Sequence, residues 1–170
     1  CKVKGIFVMD VSIIIVNYKT PELTKRCIES IIIKTSGIKY EIIVVDNASY
    51  DDSEERIKKS FPDVIFLKSD KNLGFGRANN WGASIAKGEY LFFLNSDTLL
   101  INNSIKKLHN FMVKHPSSGA CCGNLYRENM AQNHSYSFVF PSLINTLLHR
   151  LRISDLVPRI NDKFNTSNEA

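Results

Sequence analysis

Three short polar clusters hold the residue types in this sequence best suited to chemistry: Asn17-Tyr18, Asp46-Asn47 and Asn95-Ser96-Asp97. Each closes an apolar run, so each marks a point where a buried segment meets solvent. Asp97 is the first candidate. A hard divalent cation takes oxygen ligands and fills its remaining positions with substrate phosphates, so one protein carboxylate can anchor it. Taken alone, Asn95-Ser96-Asp97 reads equally well as a polar strand-to-helix turn, because all three residue types bond to their own backbone. The three clusters together say more. Tyr18 offers a ring that can stack on a base, Asp46 and Asn47 offer polar groups for its edge, and a cation on Asp97 can hold a diphosphate. Arg77 follows the stretch Asn72-Leu73-Gly74-Phe75-Gly76. It adds a phosphate partner at a helix start, where backbone N–H groups also point at anions. The combination describes a nucleotide site.

These residues can cooperate only if the elements carrying them bring them to one place. Val11 to Val16, Tyr40 to Val45 and Val64 to Leu67 are apolar runs of strand length, and Tyr90 to Leu94 reads as a strand buried on both faces. Between the first two, Thr20 can cap a helix with Pro21 and Glu22 in its first turn. Leu23, Cys27 and Ile31, with Ile28 and Ile32 beside them, give that helix an apolar face ending before Gly37. Asp51 to Ser60 is a second helix, acidic at its start and ending in Lys58 and Lys59. A third runs from about Arg77 to Ala86, with Gly88 placed to cap it, and a fourth from Ser104 to Lys114. Gly119 to Gly123 is the expected fifth strand. Strand alternating with helix predicts a mainly parallel sheet in a three-layer α/β/α sandwich. Right-handed crossovers put the C-terminal ends of such strands on one edge, where ligands bind in open α/β sheets. The three clusters then face one crevice.

With 170 residues, 44% hydrophobic and 23% charged, the chain has the composition of a globular domain with a core of its own. Its four cysteines, two adjacent at Cys121-Cys122, show no framework of paired spacings, which fits a reducing compartment. A net charge of +5 suits phosphorylated ligands or an anionic membrane surface and does not choose between them. No apolar run reaches the ~20 residues needed to cross a bilayer. The expected division is an N-terminal extension at 1–9, the nucleotide-binding domain at 10–124, and a region at 125–170 with a frayed polar end. Within that last region Leu143 to Leu156 could lie on a membrane surface as a peripheral contact, or pack against its own domain. Gly74-x-Gly76 echoes a dinucleotide-binding fingerprint, but the third glycine position is Asn79 and the loop follows the third strand. Trp81 and Phe75 could stack a sugar or base, although aromatic residues beside a helix more commonly join the core. His109 and His115 have no Cys or acid at zinc-ligand spacing and are expected as solvated helix positions.

Ile-Ile-Ile-Val-Asn-Tyr at 13–18, Val-Val-Asp-Asn-Ala-Ser at 44–49, Asn-Leu-Gly-Phe-Gly-Arg-Ala-Asn-Asn at 72–80 and Phe-Leu-Asn-Ser-Asp-Thr at 93–98 resemble, in order, motifs of the family 2 glycosyltransferases. The wording is nearest to the rhamnosyltransferase-like branch, and the likeness runs from about Asp10 to about Arg152. It implies a GT-A fold, a nucleotide-diphosphate sugar donor, Mn2+ or Mg2+ as cofactor and inversion at the anomeric carbon. The implied acceptor is a saccharide or a lipid-linked sugar, as in polysaccharide biosynthesis at the cell envelope, and no nucleic-acid partner is expected. The resemblance carries nucleotide binding onto Asn17, Tyr18, Asp46, Asn47, Arg77, Asn80 and Ser96. It matches the metal-binding D-x-D to Asn95-Ser96-Asp97, in which the first Asp is Asn and Asp97 is the charged ligand. Family members keep their general base, an Asp, in an acidic motif further downstream, and no Glu-Asp pair occurs in this sequence. The expectation is therefore the donor-binding part of a longer enzyme or a truncated product, cytoplasmic either free or at the inner face of the membrane, with 125–170 a partial acceptor-side region. Such a part binds donor without transferring it, unless Asp155 or Asp162 serves as base. A nucleotide-binding remnant without catalysis would share every donor motif.

Overall fold

In the computed structural model, which describes residues 9–127 and 129–133, the apolar run after Asp10 forms strand β1 (Met9–Asn17). It lies inside a four-stranded parallel sheet with β2 (Tyr40–Asp46), β3 (Ile65–Lys68) and β4 (Gly88–Asn95), in the order β3-β2-β1-β4. Alternation sorts the side chains of β1 onto two faces. Val11, Ile13 and Ile15 join Ile42 and Val44 on one face, while Ile14 joins Ile43 and Val45 on the other. Helices α1 (Pro21–Lys34), α2 (Ser53–Ser60) and α4 (Ser104–Lys114) close the first face with Cys27, Ile28 and Ile31, with Ile57, and with Ile105 and Met112. Helix α3 (Phe75–Ser84) closes the second with Ala78 and the partly buried Trp81. The result is the expected three-layer α/β/α sandwich on a parallel sheet.

Several local expectations are corrected. The buried stripe of α1 is Thr24, Cys27, Ile28 and Ile31, and Leu23 and Ile32 are exposed. Strand β4 is not buried on both faces: it is an edge strand among the described residues, and Phe93 is 46% exposed. The third helix starts two residues before Arg77 and ends at Ser84. Gly88 does not cap it. It is the first residue of β4, and a Cβ there would overlap the backbone of Val11 and Ser12, so only glycine lets β4 start against β1. No fifth strand forms at Gly119 to Gly123, whose glycine ends offer nothing to pack. Only Cys121 of that stretch packs against the core.

His109 is half-buried rather than solvated, its ring set edge-on to Tyr90 at 5.2 Å, while His115 is exposed and lies against Phe111. The residues to Gly123 make one unit and those from Asn124 a second. In the second, β5 (Leu125–Tyr126) pairs antiparallel with β6 (Gln132–Asn133). Met9, the last residue of the extension expected at 1–9, is the first residue of β1, while residues 1–8, the stretch Leu143 to Leu156, and Asp155 and Asp162 lie outside the described residues. Among those described, no helix is long and apolar enough to cross a membrane.

Candidate functional site

Strand register brings the polar clusters together. Asn17 pairs with Asp46 across β1 and β2, and Val16 pairs with Asn95 across β1 and β4, so all three clusters leave the sheet at its C-terminal edge. The loops that follow surround an open cleft of about 400 Å³. Tyr18 and Thr20 line it from the β1–α1 loop, Asn47 from β2–α2, and Asn72, Gly74 and Phe75 from β3–α3. Asn95, Ser96 and Asp97 line it from the end of β4. Of the expected site residues, Tyr18, Asn47, Ser96 and Asp97 thus share one cleft. Asn17 and Asp46 lie beneath it, 0% and 2% exposed, and Arg77 and Asn80 are exposed on α3 outside its lining.

Beneath the cleft runs a buried polar network. The Asn17 amide nitrogen donates to Asp46 Oδ1 at 2.7 Å and to the hydroxyls of Ser53 and Ser49 at 3.1 and 3.2 Å. Its amide oxygen accepts from Thr24 at 2.8 Å and Thr20 at 3.3 Å. Asp46 also accepts from the Ser49 backbone N–H at 3.1 Å and from the Ser49 hydroxyl. Thr20 bonds in this way instead of capping α1 with its side chain, which corrects the cap expectation. The sequence did hold a signal for these partners: Thr24 and Ser53 are polar residues on the buried faces of α1 and α2. A polar group on a buried stripe needs a partner, because leaving it unmade is costly.

Asn47 does a related job for the next loop. Its nitrogen donates to Asn72 Oδ1 at 3.0 Å and its oxygen accepts from Leu73 N at 2.7 Å, while Asn72 Oδ1 also accepts from Gly74 N at 2.8 Å. This clamp sets Gly74 at φ 77° and ψ 160°, a region that only glycine occupies readily. Phe75, 57% exposed, is thereby brought to the cleft at the start of α3, whose first turn has no side-chain cap. Trp81, the other aromatic candidate, packs in the core instead.

Asp97 is the exposed carboxylate of the cleft, and no group of three His, Cys, Asp or Glu that could hold a metal exists among the described residues. That donor set does not fit a preassembled site such as structural zinc. It fits a hard cation held by one carboxylate and by phosphate oxygens of a ligand. The Asp97 charge reaches beneath the cleft to Cys27. Burial first, and Asp97 second, push the Cys27 thiol up to about 12.

A parallel sheet with helices on both faces and a cleft at the C-terminal ends of its strands is a Rossmann-like α/β fold, in which ligands bind at that edge. The profile described as glycosyl transferase family 2 matches residues 12–160, and the chain belongs to that family. It is 32% identical over 114 residues to a poly(ribitol-phosphate) beta-glucosyltransferase of Bacillus spizizenii, covering 64% of this chain and 18% of that protein. It is 30% identical over 132 residues to glycosyltransferase GlyG of Streptococcus pneumoniae, covering 76% of this chain and 43% of that one. The structure of residues 1–349 of S. aureus TarS in complex with UDP-GlcNAc has the same GT-A fold, with a TM-score of 0.54 at 24% identity over 64% of this chain and 32% of that fragment. The chain spans less than half the length of the curated relatives it matches.

Proposed function

We propose that this chain is the donor-binding part of a glycosyltransferase that uses a nucleotide-diphosphate sugar and a divalent cation, and transfers the sugar with inversion to a saccharide or lipid-linked acceptor. The observation that carries this reading is the convergence of Tyr18, Asn47, Ser96, Asp97 and the start of α3 on one cleft, in a chain of family 2. Tyr18 and Phe75, both exposed aromatic rings of the cleft, offer stacking surfaces for the base. Asp46 holds the base-side loop in place from beneath. The N–H groups of the first turn of α3 favour the diphosphate, and Arg77 and Asn80 on the same helix are within the element that meets it. Asp97 would hold Mn2+ or Mg2+, which when bound neutralises charge on the leaving nucleotide diphosphate. Support for UDP as the nucleotide comes from the TarS structures, crystallised with UDP and with UDP-GlcNAc. Support for a cell-envelope polymer as acceptor comes from the Bacillus relative, named for poly(ribitol phosphate).

The test is calorimetric titration of the chain with UDP, with and without Mn2+. Binding is expected to strengthen at least tenfold with the metal, about 1.4 kcal/mol. Asp97→Asn is expected to remove most of that gain. Equal affinity with and without Mn2+ would overturn the assignment of Asp97.

A further inference from the structure

We propose that Asn17 is a positioning residue for the nucleotide cleft: it locks the β1–α1 and β2–α2 loops into one wall and acts through Asp46, Ser49 and Thr20 without touching the nucleotide. This rests on the nucleotide-binding reading above. A primary amide has two N–H donors and one oxygen with two lone pairs. All of that capacity is taken inside the protein: Asp46, Ser53 and, at the longest distance, Ser49 share the two N–H groups, and Thr24 and Thr20 take the oxygen. The side chain is 0% exposed, so a ligand could reach it only by displacing one of these partners. The partners come from β2, the β2–α2 loop, α2, α1 and the β1–α1 loop. One side chain therefore ties together the elements that bound one side of the cleft. The Asn17 backbone does the same, its oxygen accepting from Asn47 N at 2.8 Å.

The loops need such a tie. Lys19, Ala48 and Tyr50 have φ of 57°, 66° and 55°, the left-handed region that non-glycine residues adopt only when their surroundings over-determine it. Lys19 N donates to the Ser49 hydroxyl at 2.8 Å, and that hydroxyl is itself held by Asn17 and Asp46. Asn17 thus stands behind two strained loops at once. Its reach also extends towards the phosphate side, because Thr20 Oγ1 lies 3.4 Å from Ser96 Oγ, and both line the cleft. Aspartate at position 17 would keep the shape, lose the donors and add a second carboxylate against Asp46. The groups facing it would be Asp46 from β2, the hydroxyls of Ser49 and Ser53 from the β2–α2 loop and α2, and those of Thr20 and Thr24 from the β1–α1 loop and α1.

The experiment measures UDP affinity with Mn2+ for the wild-type chain, Asn17→Asp and Thr24→Val, at pH 5.5 and pH 8, with circular dichroism at each pH. Asn17→Asp is expected to bind ~10–100-fold more weakly than wild type at pH 8, the worth of a hydrogen bond to a charged group. At pH 5.5 its deficit should shrink severalfold, because two touching carboxyls share a proton that replaces the missing amide hydrogen. Both burial and the neighbouring charge raise the affinity of that pair for the proton, so recovery comes on the acid side. Thr24→Val removes one donor to the Asn17 oxygen and adds no charge. It should bind severalfold more weakly by the same factor at both pH values. A native-like Asn17→Asp that binds within twofold of wild type, or is equally weakened at both pH values, overturns the proposal. If Asn17→Asp does not fold, unchanged affinity in Thr24→Val overturns it. A wild-type chain that binds no UDP at all sinks the nucleotide reading itself, and this inference with it.

Discussion

At the C-terminal edge of the sheet, Asp97 and Cys27 show how far the fate of a side chain depends on a few ångströms of cover. Asp97 is exposed at the cleft, whereas Cys27 is fully buried below it, with its thiol 3.6 Å from the Asn95 carbonyl oxygen. A thiol pushed up to about 12 is protonated at every physiological pH and is not a nucleophile. At pH 8, a short exposure to iodoacetamide followed by peptide mapping should find Cys122, which is exposed, alkylated and Cys27 unmodified. Labelling of both at similar rates would mean that the edge of the sheet opens readily. Asp46 belongs to the same scale but works differently, since it is almost inaccessible and organises the loop around Ser49. Asp46→Ala should weaken UDP binding by about 1.5–3 kcal/mol, the worth of a hydrogen bond to a charged group, measured by calorimetry on a variant with an unchanged dichroism spectrum.

At the scale of elements, two glycines at the start of α3 separate backbone requirement from crowding. A Cβ at Gly74 or at Gly76 would meet nothing within 4 Å. Gly74, however, has a φ of 77° that an L side chain rarely adopts, while Gly76 lies within the helix. Urea unfolding should therefore find Gly74→Ala destabilised by about 1–3 kcal/mol. Gly76→Ala should be stabilised by about 0.5–1 kcal/mol, because alanine loses less entropy than glycine in a helix. Similar effects of the two substitutions would show that the loop before α3 is not held as described. The same helix shows what the sequence could and could not reveal. Strands β1 and β2 and helices α1 and α4 announce themselves through long apolar runs or a helical stripe. The first turn of α3 does not, because Gly74-Phe75-Gly76 has the composition of a loop and becomes helical through the packing of Ala78 and Trp81 on the sheet. Likewise Tyr18, Ser96 and Asp97 were legible as polar residues ending strands. The bonds of Asn17 to Asp46 and Ser53 join positions 29 and 36 residues apart; a polar residue on the buried face of α2 marks Ser53 as needing a partner, but no local pattern says that the partner is Asn17.

At the scale of the described molecule, the core lies on the two faces of the sheet and the proposed ligand site at its C-terminal edge. Ile14, 0% exposed at the centre of β1, packs with Ile43 and Val45 in the layer covered by α3, well inside the strand. Ile14→Ala should cost about 2–5 kcal/mol through lost burial and the cavity left behind. For a chain of this size that lowers the melting temperature by ~4–20 °C, at about 2–4 °C per kcal/mol. Asp97→Asn exchanges an exposed side chain for one of the same shape and should leave the ligand-free melting temperature almost unchanged. The ligand response should divide the other way. A ligand that binds only the folded chain adds about 2.7 kcal/mol at a hundredfold excess over its dissociation constant. Ile14→Ala, whose cavity lies beneath Gly82 in the later part of α3 and away from the helix start that lines the cleft, should keep that increment for UDP with Mn2+, whereas Asp97→Asn should lose most of its metal-dependent part. Differential scanning fluorimetry of wild type and both variants, with and without UDP and Mn2+, reads all of these quantities. Loss of the ligand increment in Ile14→Ala, or a fall in ligand-free stability in Asp97→Asn as large as that in Ile14→Ala, would show that cleft and core are one cooperative structure rather than a site set on a scaffold.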